Sequence, residues 1–149
     1  MRVDGESVDY GYVGDIVSID TTVLRKQLDA GLMPVVSPIS SDDSGMVLNI
    51  NADTVAAALG AALGAEKLIL CTGAPGILER RDDPRSLVSY TDLAGLKRLE
   101  QSGSLEGGML PKASAIESAI RGGVRRVHVI SFNVRDSVLA EVFTNEGTG

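Results

Sequence analysis

The sequence predicts an α/β fold in which helices cover the faces of a largely parallel sheet. Its 149 residues, 44% of them hydrophobic, suffice for one domain. Aromatic residues make up only 3% and Trp is absent, so the core must come mainly from Val, Ile, Leu and Ala. That composition suits buried strands under Ala-rich helices. Strand-like and helix-like segments also alternate along most of the chain, as parallel sheets require.

Charge and cysteine content restrict the class of protein. The formal net charge of −6 argues against a nucleic-acid or anionic-membrane surface, because such surfaces are bound by excess Lys and Arg. A small anion held in one local pocket stays compatible with it. The chain has one cysteine, no signal-peptide pattern and no apolar run long enough to span a bilayer, so we expect a cytoplasmic protein. We interpret Cys71 as a small core residue of a buried strand.

The amino-terminal third predicts a helix and a hairpin. Residues 8–19 are β-rich but broken by glycines, which indicates a strand pair or an irregular extended segment. Asp20 offers a cap for a helix through residue 30. Residues 32–39 form an apolar run typical of a buried strand. A turn at residues 40–45 and a returning strand at 46–50 complete a β-hairpin.

The next segment predicts a buried helix and a strand. Asn51 can cap a helix whose body, residues 54–63, is almost entirely Ala, Leu, Val and Gly, and Gly64 ends it. Residues 67–71 form a strand, and a loop of small residues, 72–76, follows its carboxyl end. Ligands of parallel sheets lie at such carboxyl ends.

Two helices, a strand and a short helix complete the predicted elements. Residues 79–85 mix both charges around a proline and predict a solvated loop. Thr91 caps a helix through residue 101, and a second helix has Pro111 at its first position. Residues 124–130 form another strand, and Asp136 begins a last helix that ends near residue 142. We therefore expect ligand sites after residue 48, after Cys71 and before Lys112.

Lys112 stands near a helix start, where its charge faces the positive end of the dipole. This placement costs a few tenths to about 1 kcal/mol unless an anion lies nearby. Glycines 107 and 108 precede it, and helix amino ends bind phosphate. The loop at residues 72–76 exposes backbone N–H groups as phosphate loops do, but it matches neither the P-loop pattern nor GxGxxG. Taken alone, the loop is a weak signal, and an ordinary strand-to-loop turn is the simpler interpretation.

A second polar cluster, Asn49-Ile-Asn-Ala-Asp53, leads from a strand into the buried helix. Asn51 and Asp53 can simply satisfy the first N–H groups of that helix. Two amides and a carboxylate beside one helix start are also suited to holding a polar substrate and ordering cations. The residues alone leave both interpretations open.

Four segments in one order, NINAD, LILCTGAPGIL, LEGGMLPK and RVHVI…EVFTNEG, resemble the carboxyl-terminal half of the N-acetylglutamate kinases, of the amino acid kinase family. The resemblance extends from about Tyr10 to the last residue. It implies a three-layer α/β sandwich in which residues 1–149 form one ATP-binding domain. It also implies Mg²⁺-dependent transfer of the γ-phosphoryl group to the side-chain carboxylate of N-acetyl-L-glutamate, in arginine biosynthesis. The intact protein would be a homo-oligomer.

The resemblance assigns roles to individual residues. Lys112 corresponds to a transition-state lysine and Asp53 to the carboxylate that orients the catalytic lysines, while Asn49 and Asn51 correspond to acetylglutamate ligands. The nucleotide contacts correspond to Thr72, Gly73, Ala74, Pro75, Gly76, Ile77, Leu78, Ser104, Leu105, Glu106, Gly108 and Met109. An effector site for arginine corresponds to His128, Glu141 and Gly147. For His128, an ordinary strand histidine is the alternative.

Two departures from the family pattern limit what this chain is expected to do. Gly73 stands where the family usually has Asp, which removes a polar nucleotide contact. The family's amino-terminal half is also missing, with its glycine-rich loop, a second catalytic lysine, the arginine that pairs with acetylglutamate and much of the dimer contact. We therefore expect these 149 residues alone to bind nucleotide weakly without turnover. Two alternatives stay open: a kinase for carrier-bound aminoadipate in lysine biosynthesis, and an arginine-binding, non-catalytic regulatory module.

Overall fold

The computed structural model describes residues 2–3, 6–7, 11–80 and 82–144. These ranges contain five α-helices and six strands. In chain order they are β1 (Arg2–Val3), β2 (Glu6–Ser7), α1 (Thr22–Asp29), β3 (Ile39–Ser41), β4 (Val47–Asn49), α2 (Ala52–Leu63), β5 (Lys67–Thr72), α3 (Leu93–Gln101), α4 (Met109–Arg121), β6 (Arg126–Ser131) and α5 (Ser137–Phe143). A 3₁₀ turn, Pro84–Ser86, precedes α3. No helix in these ranges is long and apolar enough to cross a bilayer.

The two longest strands, β5 and β6, pair in parallel from Lys67 opposite Arg126 to Thr72 opposite Ser131. Helix α2 leads into β5 and α4 leads into β6, each through a short connection. Strands β1 and β2, and β3 and β4, form antiparallel pairs. The predicted α/β fold with a parallel sheet is confirmed.

Helices lie on both faces of the parallel pair. On one face, apolar side chains of β5 and β6 pack with α2 and α4 in a core that includes Leu70, Val129 and Ile116. Because side chains alternate along a strand, His128 belongs to the opposite face, and it contacts Glu141 of α5. The order helix, sheet, helix gives the three layers expected from the resemblance.

Small side chains let α2 and α4 pack closely side by side. Ala57, Ala115 and Ala119 are at most 3% exposed and form one cluster with Val124. Contacts between the helices succeed one another from their amino ends to Gly122, so the two helices run parallel. The Ala-rich composition predicted this buried helix, and Asn51 and Gly64 bound it as expected.

Gly122 is expected to be essential for this packing. A Cβ at Gly122 would lie 2.5 Å from the Cβ of Ala61. We therefore expect Gly122→Ala to lower the free energy of unfolding by about 1–3 kcal/mol, measured by urea denaturation. Gly108→Ala is the control, because nothing lies within 4 Å of a Cβ there and its φ is −65°. Equal stability of the two variants would contradict this account.

The predicted hairpin is present, but the predicted buried strand at 32–39 is wrong. Only Ile39–Ser41 pairs, with Val47–Asn49, and Met33 and Val35 are 88% and 95% exposed. Pro34 and Pro38 have no N–H to donate to a ladder, which shortens the strand. The turn between the strands is closed by Asp42, whose Oδ1 accepts hydrogen bonds from the Ser44 hydroxyl and the N–H groups of Ser44 and Met46. These bonds, the Ser44 hydroxyl first, hold the pKa of Asp42 below its ordinary value.

Other boundaries and one burial prediction also need correction. Cys71 is exposed, because it alternates with Leu70 and faces away from the main core. Asp92, rather than Thr91, caps α3, since its carboxylate accepts from the N–H of Gly95 at 2.7 Å. Helix α4 begins at Met109, which makes Pro111 its third residue instead of its first.

The remaining element predictions hold within a few residues. Helix α1 and the short helix α5 occupy their predicted segments. Residues 11–19 are irregular apart from one bridge between Val13 and Asn49, in line with the extended alternative. Residues 8–10 lie outside the described ranges. The predicted solvated loop at 79–85 is largely exposed where it is described.

Candidate active site

The topology brings the candidate residues to one edge of the parallel pair. Helices α2 and α4 each precede a strand that they pack against, so their amino ends lie at the edge where β5 and β6 end. Asp53 is in the first turn of α2, and Lys112 is the fourth residue of α4. Ligands of open α/β sheets bind at this edge.

Lys112 and Asp53 form a direct ion pair across the two helices. The Nζ of Lys112 lies 2.8 Å from Oδ1 and 3.0 Å from Oδ2 of Asp53. The lysine side chain is 8% exposed and the aspartate side chain 25%. Asp53 therefore compensates a cation that both burial and the α4 dipole disfavour. The sequence predicted an anion beside Lys112, and in this structure the carboxylate of Asp53 is that anion.

Asn49 and Asn51 precede Asp53 in the sequence and take different positions in the structure. Asn51 is the N-cap of α2, and its Oδ1 accepts a hydrogen bond from the N–H of Thr54 at 3.1 Å. The capping interpretation is therefore correct for Asn51. Asn49 is exposed at the end of β4, where its N–H donates to the carbonyl of Tyr12 at 2.8 Å. Asp53 joins Lys112 instead of serving only as a capping charge.

The loop that follows β5 is held by polar contacts at its start and by the core at its end. The hydroxyl oxygen of Thr72 accepts from the N–H of Ala74 at 3.3 Å. Asn133 Nδ2 donates to the carbonyl of Gly73 at 2.9 Å. Ile77 is 8% exposed and belongs to the main core. The side chain of Ile77 is therefore occupied by packing, and its carbonyl accepts a hydrogen bond from the N–H of Val88 at 2.8 Å.

The loop before α4 is tied to the same region. Ser104 donates its hydroxyl to the carbonyl of Glu79 at 2.7 Å, and Leu105 is 3% exposed in the core that contains Ile77. Gly107 has a φ of +53°, a conformation that favours glycine. Within 4 Å of a Cβ built on Gly108 there is no other atom. Rigid packing thus presents an open glycine backbone immediately before the helix.

Two of the three residues predicted for an effector site lie in the described part of the chain. His128 Nδ1 lies 2.5 Å from Oε1 of Glu141, and both residues line a cavity of about 1090 Å³. The Nε2 of His128 is buried without a hydrogen-bond partner in the described part of the chain. Gly147 lies outside the described residues. The structure therefore brings together the two members of the trio that it describes.

Phe132 and Asn133 are residues of this edge that sequence reasoning missed. Both follow β6 directly and contact the segment after β5. Their position at the carboxyl end of a parallel strand was the available signal. Among the residues with described positions, no three His, Cys, Asp or Glu side chains are grouped to hold a metal ion.

The sequence of almost the whole chain is similar to a known protein family. The model of the amino acid kinase family matches residues 2–131. The chain is 49% identical over 146 residues to the acetylglutamate kinase of Myxococcus xanthus, covering 98% of this chain and 47% of that protein. For the acetylglutamate kinase of Symbiobacterium thermophilum the identity is 47%, with 99% and 50% covered. The chain thus spans about half the length of these relatives.

Solved structures share the fold. The N-acetylglutamate synthase from Neisseria gonorrhoeae, complexed with coenzyme A and L-arginine, superposes with a TM-score of 0.87 at 31% identity. The match covers 99% of this chain and 33% of the synthase chain. The protein smu.665 from Streptococcus mutans UA159 superposes with a TM-score of 0.74 at 28% identity, covering 85% of this chain and 53% of that one.

Proposed function

This chain belongs to the amino acid kinase family, and we propose that it is the nucleotide-binding part of an acetylglutamate kinase. The proposed reaction transfers the γ-phosphoryl group of ATP to the side-chain carboxylate of N-acetyl-L-glutamate, in arginine biosynthesis. The observation that carries the proposal is the buried Lys112–Asp53 pair at the amino ends of two parallel helices. A buried cation held at a ligand-binding edge suits a reaction that moves a phosphoryl group.

The chemistry needs little beyond positioning and charge. An ionised carboxylate is already a nucleophile, so no general base is required. Lys112 would lie against the transferring oxygens, with Asp53 holding its ammonium group in place. The dipole of α4 adds partial positive charge on the same side. These groups cost no reorganisation when negative charge develops, because they are already ordered.

The asparagines are proposed to hold acetylglutamate. The cap of α2 uses only Oδ1 of Asn51, and an amide has two further N–H donors for a substrate carboxylate or acetyl group. Asn49 is exposed two residues earlier, at the end of β4. Both would orient the acceptor beside Asp53 and Lys112.

ATP and Mg²⁺ are proposed to bind together at the two loops. The backbone of residues 72–78, with Ser104, Glu106, Gly108 and Met109, would contact the nucleotide, since the side chains of Ile77 and Leu105 are in the core. Mg²⁺ commonly binds through substrate phosphates with few protein ligands. Its role would be to neutralise charge on the phosphate oxygens.

Calorimetry and turnover of the 149-residue chain test this proposal. We expect weak binding of Mg-ATP and no acetylglutamate-dependent formation of ADP, because the chain spans only about half of its relatives. ADP formation that depends on acetylglutamate would contradict the assignment to a half-enzyme. A lack of heat with Mg-ATP would contradict the nucleotide site itself. With a complete enzyme, a panel of acetylglutamate and carrier-bound aminoadipate would decide between the two acceptors.

A second candidate function is an arginine-binding regulatory module. It is favoured by the His128–Glu141 contact on the large cavity and by the similarity to a synthase solved with L-arginine. A carboxylate such as Glu141 suits a guanidinium group. Heat with arginine but none with Mg-ATP would favour the module, whereas heat with both would indicate a kinase with an arginine effector site.

Oligomeric state and location are further parts of the proposal. A homo-oligomeric, cytoplasmic enzyme follows from the family resemblance. Large apolar side chains, among them Val17, Met33 and Val35, are more than 85% exposed in this chain. Uncovered apolar surface of this kind favours association with further protein.

A further inference from the structure

Phe132 lies at the ligand-binding edge with its backbone fixed. Its N–H donates to the carbonyl of Thr72 at 3.0 Å, which extends the parallel ladder by one residue beyond β6. The next side chain, Asn133, donates to the carbonyl of Gly73. The phenyl ring is nevertheless exposed, with 66% of the residue accessible. A rigid backbone thus holds an uncovered aromatic ring beside the candidate nucleotide loop.

The ring and Gly73 fit each other. A Cβ built on Gly73 would lie 3.2 Å from Cζ of Phe132 and 3.9 Å from both Cε atoms. Cζ is therefore the ring atom nearest to Gly73, so the tip of the ring lies against this residue. The absence of a side chain at Gly73 makes room for that tip, and the 66% exposure of Phe132 leaves ring surface open to a ligand.

We propose that Phe132 contacts the nucleoside part of the bound nucleotide, with one ring face stacked on the purine base. This inference rests on the proposed function and adds a residue to its nucleotide site. Aromatic side chains stack on any base because every base has a π-face. Gly73 offers no polar side chain to the nucleotide, so the exposed ring beside it supplies apolar contact in the same place. Phe132 is therefore a determinant of affinity for nucleosides, in contrast to the phosphate-binding helix ends.

Separate titrations with Mg-ATP and Mg-tripolyphosphate test this assignment. We expect Phe132→Ala to weaken Mg-ATP binding by about tenfold in calorimetry, the effect of losing one stacked aromatic ring. Binding of Mg-tripolyphosphate, which has no base, should not change. Phe143→Ala is the matched control, because Phe143 is the only other phenylalanine and is 79% exposed on α5. Equal affinity of Phe132→Ala and the unaltered chain for Mg-ATP would overturn the proposal.

Fluorescence gives a readout that a structural role of Phe132 would not change. The chain has no tryptophan, so Phe132→Trp introduces a single indole. We expect its emission to change on addition of Mg-ATP and to stay constant with Mg-tripolyphosphate. Phe143→Trp should respond to neither. An unchanged emission of Phe132→Trp at saturating Mg-ATP would overturn the stacking contact.

Binding of Mg-ATP by the unaltered chain and by the Phe132 variants distinguishes an error in the role of Phe132 from an error in the proposed function. If the unaltered chain gives no heat with Mg-ATP, both are overturned. If it binds Mg-ATP and the Phe132 variants bind and report as the Phe143 variants do, only the role of Phe132 is overturned. A double-mutant cycle adds a test of the fit, because Gly73→Ala should weaken Mg-ATP binding only when Phe132 is present.

Discussion

Replacement of Lys112 by methionine is expected to lower phosphoryl transfer by about 10²–10³-fold, the scale of losing one preorganised electrostatic donor. Methionine keeps most of the length of the side chain and removes its charge. The measurement needs a complete kinase, so this chain would be joined to the amino-terminal part of the Myxococcus xanthus relative, with which it shares 49% identity. The loss should fall on turnover, since the lysine would act on charge that develops during transfer.

Lys97 provides the matched control for this experiment. It is exposed on α3 and has no assigned role in the candidate site, so Lys97→Met should leave turnover unchanged. If Lys112→Met were as active as Lys97→Met, the lysine would have no part in the reaction. An increase in KM with turnover preserved would likewise contradict a role in the transition state.

Replacement of Asp53 by alanine is expected to lower the free energy of unfolding by about 3 kcal/mol, the low end for breaking a buried ion pair. The low end applies because the aspartate side chain is 25% exposed, whereas the lysine is 8% exposed. Removal of the carboxylate leaves a buried ammonium group at the positive end of α4 without its counter-ion. Urea denaturation of the 149-residue chain measures the change.

A double variant separates this charge effect from simple loss of packing. With Lys112→Met in the same chain, Asp53→Ala should cost much less, because no buried cation is left unpaired. Glu117→Ala serves as the control for an exposed pair. Its partner Arg121 is 68% exposed, and the expected loss is at most about 1 kcal/mol. A loss for Asp53→Ala that persists in the Lys112→Met background would contradict the ion-pair explanation.

The two partners of the ion pair are expected to differ in which property their replacement lowers most, stability or turnover. Asp53→Ala is expected to lower stability and, because Asp53 holds the ammonium group of Lys112, transfer as well, whereas Lys112→Met is expected mainly to lower transfer. Burial of the pair carries a desolvation cost, and the proposed function at this edge would explain why the pair is present. An apolar pair of similar volume would stabilise the contact between α2 and α4 at least as well.

Local patterns predicted most of the elements. Helix α2 and strand β5 could be found from the sequence, because each depends on neighbouring residues. The helix has the caps Asn51 and Gly64 and an Ala-rich body, and the strand is an apolar run. Burial was less predictable. Residues 32–39 and Cys71 are apolar in composition, but whether an apolar residue is covered depends on elements distant in the chain.

By itself the sequence determined the α/β fold, the family resemblance and the position of Lys112 near a helix start. Only the tertiary structure decided what lies beside it. Asp53 is 59 residues away along the chain and reaches Lys112 because small alanines let α2 and α4 pack side by side. The same holds for Phe132 and Gly73, which the parallel register of β5 and β6 brings together. Propensity and capping act over a few residues, whereas a site at a sheet edge is assembled by packing between elements.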